Sequence, residues 1–151
     1  MKHAHKLSRV MGCFAWVLMA ADLALMAGLP WLTEALTSQP RGGNLYFQYL
    51  VFLYVTGVVA ELILWQCRGI LRNVTKGQPF CADTVCRLRK VGGIAIALAA
   101  VWMALVIVFE VFKFLMAFLA LLFAFIGLVL FVFAELFAQA TAYKEENDMT
   151  I

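Results

Sequence analysis

The chain has 151 residues, 65% of them hydrophobic and 14% charged, with a formal net charge of +3 and a mean hydropathy of +0.92. Soluble domains hold roughly 45–50% apolar and about 25% charged residues, so this chain lacks the polar surface to cover a water-facing globule. The composition excludes a soluble domain, the small net charge argues against direct nucleic-acid contact, and both predict an integral membrane protein.

A hydrocarbon core of about 30 Å takes about 20 helical residues. Lys2, Lys6 and Arg9 precede the first such run, over residues 10–29, and His3 and His5 share that polar start. The run is too long for a signal core, and no small-x-small cleavage site follows it. Val10-Met11-Gly12-Cys13 resembles a lipoprotein box, but the apolar segment follows the cysteine instead of preceding it. The connection holds Arg41 and the residues Asn44 to Gln48, which read like part of a protease tag site, with Gly43 where that site needs an acid. Trp31, Tyr46 and Tyr49 suit the outer membrane interface, where amphipathic rings settle.

The second run covers residues 49–67. Residues 68–90 then carry Arg68, Arg72, Lys76, Arg87, Arg89 and Lys90. Lys76 to Phe80 predicts a turn, and a helix begins near Cys81 with Asp83 favourable in its first turn. Val85, Leu88 and Val91 give that helix a partial apolar stripe. Residues 91–137 are apolar but for Glu110, Lys113 and Glu135. As one helix they would run roughly 70 Å, more than twice the core. They must fold back, most simply at Glu110-Val111-Phe112-Lys113, into spans at 91–109 and 115–137. The tail 138–151 continues as a helix and ends in an acidic stretch. Continuous apolar runs, without alternation, exclude a sheet barrel.

Ten of the twelve Lys and Arg residues lie before the first run, between the second and third, or in the tail. Lys and Arg mark cytoplasmic segments. The expectation is an all-α, four-transmembrane-helix bundle with both termini inside. Lipid favours close helix contact through small residues. Gly93, Ala97, Ala100 and Ala104 fall within about 60° on one helix face, which makes them the expected packing seam of span three. Ala20, Ala24 and Gly28 form a similar stripe on span one.

Three acids lie in the spans, and no Lys, Arg or His does. At about 1.5 Å per residue, Asp22 sits roughly 18 Å from the inner edge, Glu61 about 9 Å and Glu135 about 3 Å. No two share one depth on this reckoning. An acid at the centre costs about +3 kcal/mol. Span four offsets Glu135 easily with sixteen Leu, Ile, Val or Phe residues. Span one has seven, worth roughly −2 to −4 kcal/mol in all, so Asp22 makes its insertion marginal. Asp22, with Thr56 at nearly its depth as a hydrogen-bond partner, is either a neutral interhelical tie or a proton- or cation-handling group. Glu61 is expected to pair with Arg68, which leans back toward it while its head snorkels to the interface. Glu135 is expected to be solvated or paired with the basic loop.

Met11, Met19 and Met26 share the face of Asp22 and read as gap fillers instead of soft-metal ligands. Cys13, Cys67, Cys81 and Cys86 all map to the inner side, a reducing compartment that disfavours disulfides. Cys81 and Cys86 match no zinc spacing. The sequence shows no catalytic constellation and calls for no metal or cofactor. Asn73-Val74-Thr75 is a glycosylation sequon by pattern, but on an inward-facing loop it carries no expectation.

Gly77-Gln78-Pro79-Phe80, then Arg87-Leu88-Arg89-Lys90-Val91-Gly92, then Lys144-Glu145-Glu146-Asn147-Asp148-Met149-Thr150-Ile151 resemble the bacterial family catalogued as domain of unknown function 2975. That resemblance implies a small four-span protein of a bacterial inner membrane, often encoded beside a small helix-turn-helix regulator, and hence a regulatory partnership. The family pattern often has Ser or Thr where Cys81 stands and Leu where Met149 stands; the first departure weakens helix capping at Cys81. No catalytic residue carries over. The leading expectation is a non-enzymatic membrane partner of a cytoplasmic factor. Its contacts with that partner or with lipid heads would run through Arg68, Arg72, Lys76, Arg87, Arg89 and Lys90, and homo-oligomers stay open. The rivals are a small proton-coupled transporter using Asp22, and a thiol or metal sensor on the inner face.

Overall fold

The computed structural model describes residues 2–38, 43–109 and 113–149, with side chains over 10–38, 43–109 and 113–147. The expected fold-back at Glu110-Val111-Phe112 lies outside the described residues. Four helices account for nearly everything described: α1 (Lys2–Thr37), α2 (Asn44–Thr75), α3 (Ala82–Val108) and α4 (Lys113–Met149). Each is long and apolar enough to cross a membrane, so the chain is an all-helical, multi-pass membrane protein. A helix satisfies its backbone within itself, which hydrocarbon demands. The helices hold 36, 32, 27 and 37 residues, or about 40–55 Å. All four outrun the hydrocarbon, because the polar sequence beyond each apolar run continues the same hydrogen-bond ladder. The α2–α3 turn falls where the sequence places it, with Gly77 at φ +76° and Asp83 in the first turn of α3.

Consecutive helices run antiparallel, so the start of α1, the α2–α3 turn and the end of α4 share one end, here the basic end. Close backbone contact joins α1 to α2, α2 to α3 and α3 to α4; among the described residues it joins no other pair. The bundle is therefore an open row of two hairpins sharing the α2–α3 boundary. Leu98, Trp102, Phe109, Met116 and Ala120 form its core, with Val51, Phe52, Val55 and Val59 of α2 packed against them. The rings of Phe52 and Trp102 lie 4.9 Å apart.

Alternating steps of three and four mark the hairpin seams, the spacing of left-handed antiparallel packing. On α1 the seam runs through Ala15, Met19, Leu29 and Thr33, all buried. Met26 fills a gap as expected: a Cβ on Gly57 would sit 3.1 Å from its Cγ. On α4 the seam runs through Met116, Ala120 and Ala134, all buried, with Gly127 between them.

The packing seam of α3 is not the expected one. Ala97, Ala100 and Ala104 are exposed, and a Cβ on Gly93 would meet open space. The buried side holds Val91, Gly92, Ala95, Leu98, Ala99 and Trp102. Helix α3 carries small residues on two adjoining faces about 100° apart, and its own spacing does not say which one packs. Gly127 of α4 decides: a Cβ there would lie 2.6 Å from Ile96 Cγ1 and 2.9 Å from the carbonyl oxygen of Gly92. The two backbones meet at this glycine pair, and the other stripe faces outward. The α1 stripe fails likewise, with Ala20 and Ala24 exposed and open space at Gly28.

This contact sets a test. Gly127→Ala should destabilise the purified protein by about 1–3 kcal/mol, the usual cost of overpacking, and lower its thermal unfolding temperature. Gly93→Ala should be neutral, or stabilising by up to about 1 kcal/mol. A larger loss at Gly93 than at Gly127 would place the α3–α4 seam on the other stripe.

Candidate intramembrane acid site

The register of the α1–α2 hairpin builds the site. Met26 packs on Gly57. One turn toward the basic end on each helix stand Asp22 and Glu61, four residues from that contact in both chains. Counting from the connection agrees. Asp22 lies about 22 Å toward the basic end from Thr37, and Glu61 about 26 Å toward it from Asn44. Both positions continue the seam spacing. Asp22 Oδ2 and Glu61 Oε2 are buried, and neither has a hydrogen-bond partner.

The two acids thus stand level, which overturns the expectation that they differ in depth by about 9 Å. That expectation measured Glu61 from an inner edge at Cys67, whereas α2 runs on unbroken to Thr75. Depth counted from the ends of apolar runs inherits every error in those ends, and the packed register does not.

Both expected partners turn elsewhere. The hydroxyl of Thr56 donates to the carbonyl oxygen of Phe52 at 2.8 Å, the back-bond that a helical threonine commonly makes. Thr56 precedes Glu61 by five residues, so it projects about 140° away around α2. Arg68 does not pair with Glu61. Its guanidinium carbon lies 3.9 Å from the ring centre of Trp16 and 5.9 Å from that of Trp65. Seven residues place Arg68 about 10 Å from Glu61 along the helix. Both side chains lean toward the helix start, so they run parallel and do not converge. Stacking on an indole gives the cation about 0.5–2 kcal/mol instead. Trp16, which carries no expectation from sequence, thus engages Arg68 at the basic end of this seam.

A polar clasp closes the basic end between α2 and α3. Asn73 Nδ2 donates to Asp83 Oδ2 at 2.8 Å and to Thr84 Oγ1 at 3.1 Å. Arg87 Nε donates to Asp83 Oδ2 at 2.8 Å, and its Nη1 to Gln66 Oε1 at 3.3 Å. The guanidinium lies over Gly69, where a Cβ would meet it and push the Arg87 side chain aside. Cys81 precedes α3 without a side-chain capping bond. Of the clasp, only the Asp83–Arg87 spacing of four was legible as a helical pair; Asn73, Gln66 and Gly69 carry no sequence signal.

The six basic residues offered as partner contacts divide. Arg68 and Arg87 are engaged within the chain, and Arg89 Nη2 bonds Glu135 Oε2 at 3.2 Å, the pairing expected of that acid. Arg72, Lys76 and Lys90 are exposed. Cys13, Cys67, Cys81 and Cys86 are free. Among the described residues no group of three or more His, Cys, Asp or Glu could hold a metal ion.

A family model described as "Protein of unknown function (DUF2975)" matches residues 15–151. No curated protein and no solved structure matches the chain.

The clasp carries a pH dependence. The hydrogen bond from Arg87, then that from Asn73, holds the Asp83 carboxyl below its ordinary range. A carboxyl depressed by folding contributes stability above its unfolded value and loses it as pH falls through its folded one. The α2–α3 contact should therefore weaken on acidification below about pH 4. Asp83→Asn should flatten that part of the stability profile, read by thermal unfolding between pH 3 and 7; an unchanged acid limb would remove Asp83 from the clasp.

Proposed function

We propose that this chain, which belongs to the DUF2975 family of proteins of unknown function, is a non-enzymatic membrane protein that takes up one positive charge between Asp22 and Glu61. One observation carries the reading: Asp22 Oδ2 and Glu61 Oε2 are buried and unpartnered, at positions that the Met26–Gly57 contact sets level in the α1–α2 seam. A buried polar group without a partner is rare and calls for an explanation, and an ionisable group inside the membrane is a functional candidate by default. Two carboxylates at one level of a low-dielectric seam repel. One shared proton, or one monovalent cation held by their oxygens, relieves both that repulsion and the lost hydration. The basic end lies in the cytoplasm of a bacterial inner membrane on this reading, following the bias of Lys and Arg.

A second reading keeps the regulatory partner. Helix α4 runs twelve residues past Phe137 to Met149, so part of it stands clear of the apolar span beside the α2–α3 turn. Arg72, Lys76 and Lys90 would be the contacts there, since Arg68, Arg87 and Arg89 already have partners within the chain. That commitment leaves this reading fewer free charges than the sequence promises, and the acid pair is the stronger case.

The test is flux in vesicles holding the full-length protein and a pH-sensitive dye. A potential imposed at equal pH should drive proton entry, and Asp22→Asn and Glu61→Gln should each abolish it. Thr56→Val should leave it intact. Movement of labelled sodium or potassium without proton entry, lost in the same two variants, would assign the site to an alkali cation. Wild-type protein that passes neither, or flux that survives both substitutions, would overturn the proposal.

A further inference from the structure

The basic end holds a groove of about 560 Å³ between the first turns of α3 and the last turns of α4. Its floor is small and apolar, with Val85 on one side and Ala138 and Ala142 on the other; Arg89, Lys90 and Glu145 are the charged groups on its rim. The charges are not mixed at random. Arg89 and Lys90 stand where α3 enters its apolar run, and Arg89 reaches across to Glu135 of α4 through its ion pair. Glu145 stands ten residues farther along α4, about 15 Å toward the aqueous side.

Helical side chains lean toward their own N-terminus. In this antiparallel pair the lean carries Lys90 away from the membrane and Glu145 toward it. The two charged heads lean toward each other along the groove, and about 12 Å is left between them for a ligand that carries both charges. Arg89 uses one terminal nitrogen on Glu135, and a guanidinium has five N–H donors, so it can still donate into the groove. The mouth of the groove is at the level of the lipid headgroups, because the apolar spans begin just past Lys90 and end at Phe137, two residues beyond Glu135.

We propose that this groove seats the headgroup of an ethanolamine phospholipid. Its phosphate would lie on Lys90 and Arg89 and its primary ammonium on Glu145, with the acyl chains passing along the α3–α4 hairpin. A headgroup with a phosphate and no amine leaves Glu145 opposed to a like charge. A choline headgroup offers Glu145 no N–H to donate. A second copy of the chain does not complement the groove, because copies inserted in one direction set like rims at one depth.

The experiment is a competition. Full-length protein in detergent is given equal amounts of phosphatidylethanolamine, phosphatidylglycerol and phosphatidylcholine of one chain composition, and the retained lipid is counted by native mass spectrometry. The wild type should keep phosphatidylethanolamine over both others by a few-fold, the scale of one exposed ion pair. Lys90→Gln should lower retention of phosphatidylethanolamine and phosphatidylglycerol alike. Glu145→Gln should erase the preference over phosphatidylcholine, and Arg72→Gln, outside the groove, should leave it. Equal retention of the ethanolamine and choline lipids by the wild type would overturn the assignment, as would a phosphatidylglycerol preference or an ethanolamine preference that survives Glu145→Gln. The wild-type comparison decides by itself should a variant not fold.

Discussion

Hydrocarbon offers a polar group nothing, and most of this structure follows from that. Each backbone N–H and C=O within the bilayer must bond inside its own segment, which makes every apolar run a helix. The polar side chains meet the same demand. Thr56, Thr75 and Thr141 turn their hydroxyls back on carbonyls four residues earlier. Arg68 finds an indole. Asp22 and Glu61 find nothing on their buried oxygens, and they share one level of one seam. Thr33 Oγ1 and Gln48 Oε1 are also buried without a partner, but among the described residues Asp22 and Glu61 are the ionisable groups in that position, and a functional reading starts from them.

The two hairpins are held by different means. Within each, seam side chains interlock at three-and-four spacing, and glycine lets the partner come close, at Gly57 in one and at Gly92 with Gly127 in the other. Between them, α2 and α3 join through an aromatic core around Trp102 and through the polar clasp on Asp83. Among the described residues α1 touches α2 but not α3 by close backbone contact, so α2 is the element that belongs to both the acid site and the clasp. Glu61 and Gln66 are five residues apart on it. A change of charge at the acid pair is thus separated from the basic end by little more than one helical turn.

The clearest differences between expectation and structure are matters of rotation and register, not of element type. The stripe Gly93-Ala97-Ala100-Ala104 has the right chemistry and spacing for a seam, yet α3 presents the adjoining stripe because Gly127 lies opposite Gly92. The acids differ in depth when measured from the edges of apolar runs and coincide when measured from the Met26–Gly57 contact. Arg68 shares a face with Glu61, but the common lean of helical side chains keeps the two apart. Glu135 with Arg89 succeeded because both lie where span meets loop, and charge alone brings such groups together.

From composition and run length alone came the membrane environment, the four helices, the turn before α3, and the intramembrane acids as the costly groups. These depend on transfer free energies and helical rise, which act on each segment by itself. The partner of each helix face, the level at which Asp22 meets Glu61, the diversion of Arg68 to Trp16 and the groove beside Lys90 and Glu145 came only from the fold. Each depends on how one helix is rotated and shifted against another. That choice is settled by steric fit between two segments, at a scale of one methyl group, and neither segment records it singly.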